Sequence, residues 1–360
     1  MLLLALQTAV TWTVLGGGSI APNGLYTAPS APGGTVRVVA RAAGAADTSL
    51  VTVTPRAAVV RAAPAPEASV APGIPGVPFG MFEQPVSATG GLYTLSVMPQ
   101  HMRAIPALPE LARKGAKIIL NVTNSGNCAK DLGAFSLELW KTCFRQFAYD
   151  DPQARELITE AGDNGTLLAI YLLDEPNHPR RWGPRGTVTQ AMVEEMAAYS
   201  KSLFPRIPTV VRASPEWLAE GNVTYRALDG AWAQYRRNRG PIEEYIRKHT
   251  EKARDLGLCL VFSLNIIDGG TTDAGDPMFS GWDSGRKLYE MSPAEIISYG
   301  LPMVQAQPWA VGAWDYRPAY LSKPGVREAM DSLGRAAQKA TWSCSRATAR
   351  VTQSGAGTAH

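Results

Sequence analysis

The chain contains 360 residues with a formal net charge of +4, and its composition is 45% hydrophobic and 18% charged. This length exceeds one ordinary domain, so the sequence predicts two. The basic residues are scattered, with the densest cluster at Arg236, Arg237 and Arg239, whereas nucleic-acid binding needs a contiguous basic face. No segment reaches the roughly 18 apolar residues that span a bilayer. We therefore expect neither a nucleic-acid partner nor a membrane span.

The first twelve residues, MLLLALQTAVTW, are apolar, but no basic residue precedes the apolar run, which breaks at Gln7. They do not form a complete signal peptide. We expect that the chain begins inside a longer gene product and that its signal sequence is missing.

Residues 9–55 have the alternation of β-strands. Val10, Trp12 and Val14 alternate with threonines, a Pro-Asn-Gly turn follows at 22–24, and residues 35–54 contain two further alternating runs. Short period-two runs separated by Gly, Pro and Asn turns predict a small all-β sandwich.

The strings VTWTV, GGGSIAPNGLYTAPSAPGGTVRVVARA and DTSLVTVTP in this region resemble the bacterial Ig-like group 2 domain. That resemblance implies a domain over residues 1–55 that lacks its first strands, because Trp12 would lie in the middle of a complete one. Such domains occur on surface and secreted proteins. The resemblance therefore implies secretion or display at the cell surface, with the domain as an attachment element.

Residues 56–76 are rich in Ala and Pro without periodicity and predict a linker. Residues 77–340 then alternate short apolar runs with amphipathic stretches of helical period. Helices are predicted over 103–114, 135–147, 152–161, 189–203, 241–256, 293–299 and 324–339. Residues 341–360 have no apolar pattern and predict a flexible tail.

Eight strands are predicted between these helices. They are Phe79–Phe82, Lys117–Val122, Leu167–Leu173, Thr209–Arg212, Leu228–Gln234, Cys259–Asn265, Met303–Gln305 and Val311–Trp314. Near-continuous apolar strands, most of them followed by a helix, are typical of a closed parallel barrel. The expected fold class is α/β, a (β/α)8 TIM barrel preceded by a small, incomplete Ig-like sandwich. An open doubly wound sheet is the alternative, but no glycine-rich phosphate turn follows the first strand.

Four cysteines, Cys128, Cys143, Cys259 and Cys344, occur without any CxxC pair, which argues against a zinc site. A disulfide between Cys128 and Cys143 would close a short loop. Three pairings are open, as are free thiols, and a disulfide would agree with an extracytoplasmic setting.

Catalytic groups of a barrel lie at the carboxyl ends of its strands. Amides, carboxylates and aromatic rings, which suit sugar hydroxyls and ring faces, follow the predicted strands. We expect a carbohydrate substrate to be bound by Asp174, Asn121, Asn124, Arg212, Trp232, Gln234, Asn265, Gln305 and Trp314.

The run LLAIYLLDEPNH ends an apolar strand in Asp174, Glu175 and Pro176. Glu175 would project into the barrel mouth as a catalytic carboxylate. Adjacent residues of a strand face opposite ways, so only one of the two carboxylates should point inward unless the strand has ended. The structural alternative is that Glu175 pairs with an arginine such as Arg212.

The DEP element resembles the acid/base signature of the retaining glycoside hydrolases of clan A, which closes a barrel strand. Most of residues 79–335 is also similar to uncharacterised bacterial barrel proteins described as hydrolase-like. The resemblance implies that Glu175 is the general acid/base.

The sequence departs from clan A in two ways. The clan's nucleophile is a glutamate ending the seventh strand, where Gln305 stands in our prediction, and the DEP follows the third predicted strand instead of the fourth. Either a strand between 83 and 166 is missing from the prediction or the site is rearranged. Asp315 and Asp268 are the candidates for the second carboxylate, and Glu216 is a weaker one.

Two functions remain open. The first is a secreted glycoside hydrolase for oligo- or polysaccharides that needs no cofactor or metal. The second is a non-catalytic carbohydrate-binding or structural protein on a degenerate barrel. The oxygen-rich loop 268–276 lacks the spacing of an EF-hand calcium site and is expected to be a flexible active-site loop.

Overall fold

The computed structural model describes residues 10–22, 24–28, 34–43, 45–53, 76–97, 101–123, 128–178, 181–183, 188–271, 278–283, 286–342 and 344. The chain divides into two compact units, Met1–Ala68 and Ser69–His360. The linker over 56–75 and the tail from 345 lie outside the described residues.

The first unit is made of antiparallel β-strands. They are β1 (Thr11–Leu15), β2 (Ser19–Ile20), β3 (Tyr26–Thr27), β4 (Gly34–Ala42) and β5 (Ala45–Val53). The sheet order is β1-β4-β5, and β2 pairs with β3. Alternation along β4 buries Val36 and Val38 and exposes Arg37, as expected of a sheet with one packed face. The predicted β-rich segment is confirmed, whereas its Ig-like identity stays a prediction.

The second unit contains a closed barrel of eight parallel strands. In chain order they are β6 (Phe79–Phe82), β7 (Leu95–Val97), β8 (Lys117–Asn121), β11 (Leu167–Asp174), β12 (Thr209–Arg212), β13 (Gly230–Tyr235), β14 (Cys259–Asn265) and β17 (Ala310–Trp314). The predicted fold class is confirmed by this pairing.

Two short hairpins interrupt the barrel pattern: β9 (Lys130–Asp131) with β10 (Ala134–Phe135), and β15 (Met278–Asp283) with β16 (Arg286–Glu290). The second follows β14 and was not predicted. It follows the loop expected at 268–276, of which residues 272–276 lie outside the described residues.

Helices surround the barrel. They are α1 (His101–Ala104), α2 (Leu108–Arg113), α3 (Leu137–Ala148), α4 (Pro152–Asp163), α5 (Gln190–Leu203), α6 (Pro215–Glu220), α7 (Ile242–Asp255), α8 (Pro293–Gln305), α9 (Pro318–Leu321) and α10 (Val326–Lys339). Side-chain oxygens of Ser136, Asp151, Thr189, Ser214 and Ser292 cap the amino ends of five of them. Such caps satisfy backbone N–H groups that have no partner within the helix.

The strands alternate between two cores. Side chains such as Val97, Ile119 and Val261 fill the barrel interior, and the intervening residues pack beneath the helices. Gly80 permits the close approach of β6 and β7, because a Cβ atom there would lie 1.7 Å from the carbonyl oxygen of Leu95.

Two strand predictions are wrong. The strand Leu95–Val97 was missed, and Met303–Gln305 ends helix α8 instead of forming a strand. The correction makes β11 the fourth barrel strand, so the DEP element follows the fourth strand. It also makes β14, which ends at Asn265, the seventh.

Disulfides join Cys128 to Cys143 and Cys259 to Cys344, with Cα atoms 6.2 and 5.1 Å apart. The pairing that closes the short loop, one of those left open by the sequence, is therefore present. Residues 341, 342 and 344 are the described part of the predicted tail. Trp342 packs on the core and Cys344 is covalently tied to β14.

Candidate functional site

A bulge in β11 places the two acidic residues of the DEP element. The pairing of β11 with β12 shifts register between Tyr171 and Asp174, so Asp174 turns inward, where the Tyr171 hydroxyl donates to it over 2.7 Å. Glu175 follows with φ of 44°, in the left-handed region that non-glycine residues seldom occupy. The strand has thus ended at Glu175, and both carboxylates reach the same group of arginines.

Arg212, at the end of β12, forms the centre of this group. Its guanidinium lies 2.7 Å from the Asp174 carboxylate and 3.3 Å from that of Glu175. It packs over the rings of Phe82 and Trp314, whose centroids are 5.4 and 5.0 Å away. Burial by itself would lower the pKa of Arg212, but the negative charge of Asp174 opposes it and the pKa is raised overall.

Arg181 completes a four-charge network. Its guanidinium bonds to Asp174 and lies 3.2 Å from Glu175 Oε2. Two acidic and two basic side chains therefore neutralise each other around the end of β11. The predicted alternative, that Glu175 pairs with Arg212, is observed.

Pairing does not remove Glu175 from solvent, because 31% of its side chain is exposed. It lines a cleft of about 620 Å³ that continues from the barrel mouth toward α6 and α7. The other walls are mainly polar, and they include Asn177, His178, Arg212, Glu216, Trp232, Gln234, Arg236, Asn238, Arg239, Glu244, Tyr245, Lys248 and His249. A cleft of this size accommodates a small-molecule ligand.

The weaker carboxylate candidate, Glu216, is committed to a local cluster. It forms an ion pair with Lys248 and lies 4.0 Å from His249. Burial lowers the pKa of His249, with the charge of Glu216 opposing, and the imidazole stacks on Tyr245. Glu216 therefore helps to fix α6 against α7.

Asp268 and Asp315 follow the seventh and eighth barrel strands. Asp268 is partly buried, and its N–H donates to Asn265 Oδ1 over 2.9 Å. Burial raises the pKa of Asp315; Arg317 opposes this shift and the nearby charge of Asp268 adds to it. The Trp314–Asp315 peptide bond is cis.

Arg236, which follows β13, lies near Asp268 and Glu175. Its pKa is lowered by burial, and the charges of Asp268 and Glu175 act in the opposite direction. Both carboxylates are therefore close enough to Arg236 for their charges to act on it.

Several predicted binding residues lie at the same end of the barrel. Asn121 Oδ1 accepts from the N–H of Thr123, and the Trp232 indole donates to Ser263 over 2.9 Å. Asn265 is paired in register with Trp314, and its amide Nδ2 is buried without a hydrogen-bond partner among the described residues. The predicted residue Asn124 lies outside the described residues.

Gln305 does not lie at the carboxyl ends of the barrel strands. It is exposed at the carboxyl terminus of α8 and precedes β17, so it lies near the amino ends of the strands. Trp309 immediately precedes β17 at the same end and is buried against Gly230. The prediction for Gln305 is wrong because it depended on a seventh strand that is a helix.

Sequence reasoning missed Arg181 and Arg236. Arg181 follows Glu175 by six residues in a loop, and no periodicity marks it. Arg236 continues the inward alternation of Trp232 and Gln234 past the end of β13, and this spacing would have identified it. Among the described residues, no group of three or more His, Cys, Asp or Glu is placed to hold a metal.

No protein-family profile matches the sequence, and no curated protein does. Solved structures similar to this chain include a Xylanase10C mutant from Cellvibrio japonicus in complex with xylopentaose (11% identity, 86% of this chain, 76% of that chain, TM-score 0.45). A second is the mannanase catalytic domain from Streptomyces sp. SirexAA-E (12% identity, 73% of this chain, 87% of that chain, TM-score 0.46). A third is a putative chitinase A from Streptomyces coelicolor (11% identity, 73% of this chain, 98% of that chain, TM-score 0.43). The barrel assignment itself depends on strand pairing. In the part of the chain that the structure describes, no helix has the length and apolarity to cross a membrane.

Proposed function

We propose that the barrel is a glycoside hydrolase for oligo- or polysaccharides, with Glu175 as its general acid/base. One observation carries the proposal: Glu175 directly follows the fourth barrel strand and lines a cleft of about 620 Å³ at the carboxyl ends of the strands. Catalytic groups of this fold lie at that end. The corrected strand count also removes one of the two departures from the clan A pattern.

The partner carboxylate in this proposal is Asp268, with Asp315 as the second choice. Asp268 is the first acidic residue after the seventh strand, the strand that carries the clan's nucleophile. Its charge and that of Glu175 both act on Arg236. Two carboxyl groups about 5–5.5 Å apart retain the anomeric configuration and groups about 6.5–9.5 Å apart invert it.

The test incubates the full chain with a panel of neutral and acidic glycans and measures hydrolysis as the release of reducing ends. Proton NMR of the first product anomer then identifies the stereochemical course. Asp268→Asn should abolish turnover if it is the partner, and Asp315→Asn should do so if the second choice is correct. A panel on which wild-type protein releases no sugar would contradict the proposal.

A second candidate is a carbohydrate-binding barrel without catalysis. Two observations favour it: both Glu175 oxygens are held by guanidinium groups, and the seventh strand ends in the amide of Asn265. This candidate predicts saturable glycan binding by calorimetry with no product release from any bound glycan.

We also propose that the protein acts outside the cytoplasm and that its first unit is an Ig-like spacer or surface attachment. Two disulfides support an oxidising compartment. Fractionation of the native host into cytoplasm, envelope and medium tests this proposal, and recovery only from the cytoplasm would contradict it.

A further inference from the structure

The cleft beside Glu175 contains hydrogen-bond donors that have no acceptor. Arg212 is 5% exposed, and its Nε is buried without a partner among the described residues. Gln234 Nε2 is also buried without a hydrogen-bond partner among the described residues. The orientation of this amide is fixed, because its Oε1 accepts from Arg212 over 2.7 Å and an arginine can only donate. The amide NH₂ must therefore face away from Arg212.

Two arginines extend this donor-rich wall. Neither Arg236 nor Arg239 forms a side-chain hydrogen bond or ion pair within the described residues, although both line the cleft. Arg236 is partly buried, and this burial lowers its pKa. A desolvated guanidinium without a bonded anion is costly, so the site favours a ligand that supplies negative charge.

The charges of Asp268 and Glu175 act on Arg236 and oppose the effect of burial, but its pKa is still lowered overall. The acidic residues that line the cleft do not cancel the preference for an anion. Glu175 is paired with Arg181 and Arg212, and Glu216 is paired with Lys248. Glu244 is exposed in the first turn of α7, so solvent screens its charge. Screening is weaker at the partly buried Arg236.

We propose that the cleft binds a sugar carboxylate, so that its substrates are oligosaccharides containing uronic acids, with Arg236 as the principal anion-binding residue and Gln234 and Arg239 beside it. A carboxylate accepts hydrogen bonds and donates none, and its planar geometry matches the fork of a guanidinium. The proposal rests on the proposed glycosidase function, because it identifies the substrate class of the same site.

The test measures binding by calorimetry with tetramers of galacturonate, glucuronate and mannuronate, each beside its methyl ester, at low and high salt. At least one tetramer should bind about 10-fold or more tightly than its ester, and the difference should shrink as salt rises. Arg236→Gln should remove the difference and Arg239→Gln should reduce it. The control is Arg247→Gln, which changes an exposed arginine paired with Glu251 on α7 and should retain the full difference.

Equal binding of acid and ester, or no binding of any acid, would overturn the inference. Tighter binding of a sulfated glycan without uronate, such as a carrageenan tetramer, would reassign the anion to a sulfate ester and also overturn it. Acids that bind without being hydrolysed would leave the carboxylate site standing and contradict the hydrolase. Hydrolysis of neutral glycans at rates that do not depend on substrate charge would support the hydrolase and contradict the carboxylate site. Because Arg236 has no bonded side-chain partner among the described residues, Arg236→Gln should not lower the melting temperature.

Discussion

At the scale of single residues, the site depends on how one buried arginine is compensated. Arg212 is nearly inaccessible, yet it meets Asp174, Glu175, the Gln234 oxygen and two aromatic rings. Removing one partner from a buried charge pair leaves the other uncompensated, and this is costlier than replacing both. The network therefore holds the barrel mouth in a single arrangement while Glu175 remains reachable from the cleft.

Arg212→Met should lower the free energy of unfolding by about 3–5 kcal/mol, because Asp174 would lose its buried partner. The matched control is Arg181→Met, which removes a guanidinium that is 35% exposed and should cost less than about 1 kcal/mol. Urea unfolding followed by fluorescence measures both. Equal costs for the two variants would contradict the central position of Arg212.

Asp315 carries a pH-dependent prediction. Its folded-state pKa is raised, chiefly by burial, so the folded protein favours the protonated acid. This contribution to stability is complete below the ordinary Asp pKa, near about 4, and is lost as pH rises through the raised value. Asp315→Asn, which cannot ionise, should melt above wild type at pH 7, with the gain vanishing below about pH 4. A variant that melts lower than wild type at pH 7 would show that the ion pair with Arg317 outweighs burial.

At the scale of secondary-structure elements, most of the barrel was predictable because its strands are short, apolar and followed by amphipathic helices. The strand Leu95–Val97 was missed because three residues are too few to form a recognisable pattern. It is a strand because β6 and β8 pair with it on both sides. Residues Met303–Gln305, which follow Gly300 and Pro302, were predicted as a strand. They continue α8 past Pro302 because Met303 and Val304 are buried in the core.

The site was predictable in its residue types and not in its geometry. The polar residues at the ends of the predicted apolar strands included Arg212, Gln234 and Asn265. The bulge in β11 and the left-handed backbone of Glu175 depend on tertiary contacts that no local pattern encodes. Alternation along a strand allows one inward carboxylate unless the strand has ended. The structure shows this exception, because β11 ends at Asp174 and both Asp174 and Glu175 reach the same arginines.

Helix α8, which leads into the last barrel strand, begins with a capping box. The Ser292 hydroxyl accepts from the N–H of Glu295, and the Glu295 carboxylate accepts from the N–H of Ser292. Ser292→Ala should lower the unfolding free energy by about 1–2 kcal/mol. Ser298→Ala, within the same helix, removes only a bond to a carbonyl oxygen and should cost less than about 0.5 kcal/mol. Guanidinium unfolding compares them, and indistinguishable midpoints would argue against a role for the cap.

At the scale of the whole molecule, the two disulfides close loops of very different length. Cys128 and Cys143 are 15 positions apart, and Cys259 and Cys344 are 85 apart. Loop-closure entropy predicts losses of about 3 kcal/mol for Cys128→Ser and about 4.5 kcal/mol for Cys344→Ser. Chemical unfolding without reductant measures both, and wild type with reductant should lose at least as much as either variant. A larger loss for Cys128→Ser would show that native packing, and not loop length, dominates.

The proposed hydrolase function depends on Glu175 acting on substrate at the carboxyl ends of the strands. The direct measurement is kcat/KM of Glu175→Gln against wild type on the glycan that wild type hydrolyses fastest. Glu251→Gln, an exposed change on α7, serves as the matched control. We predict a loss of about 10²–10⁴-fold for Glu175→Gln and no loss for Glu251→Gln. Turnover by Glu175→Gln within about threefold of wild type, far below the loss expected of a general acid/base, would contradict the account.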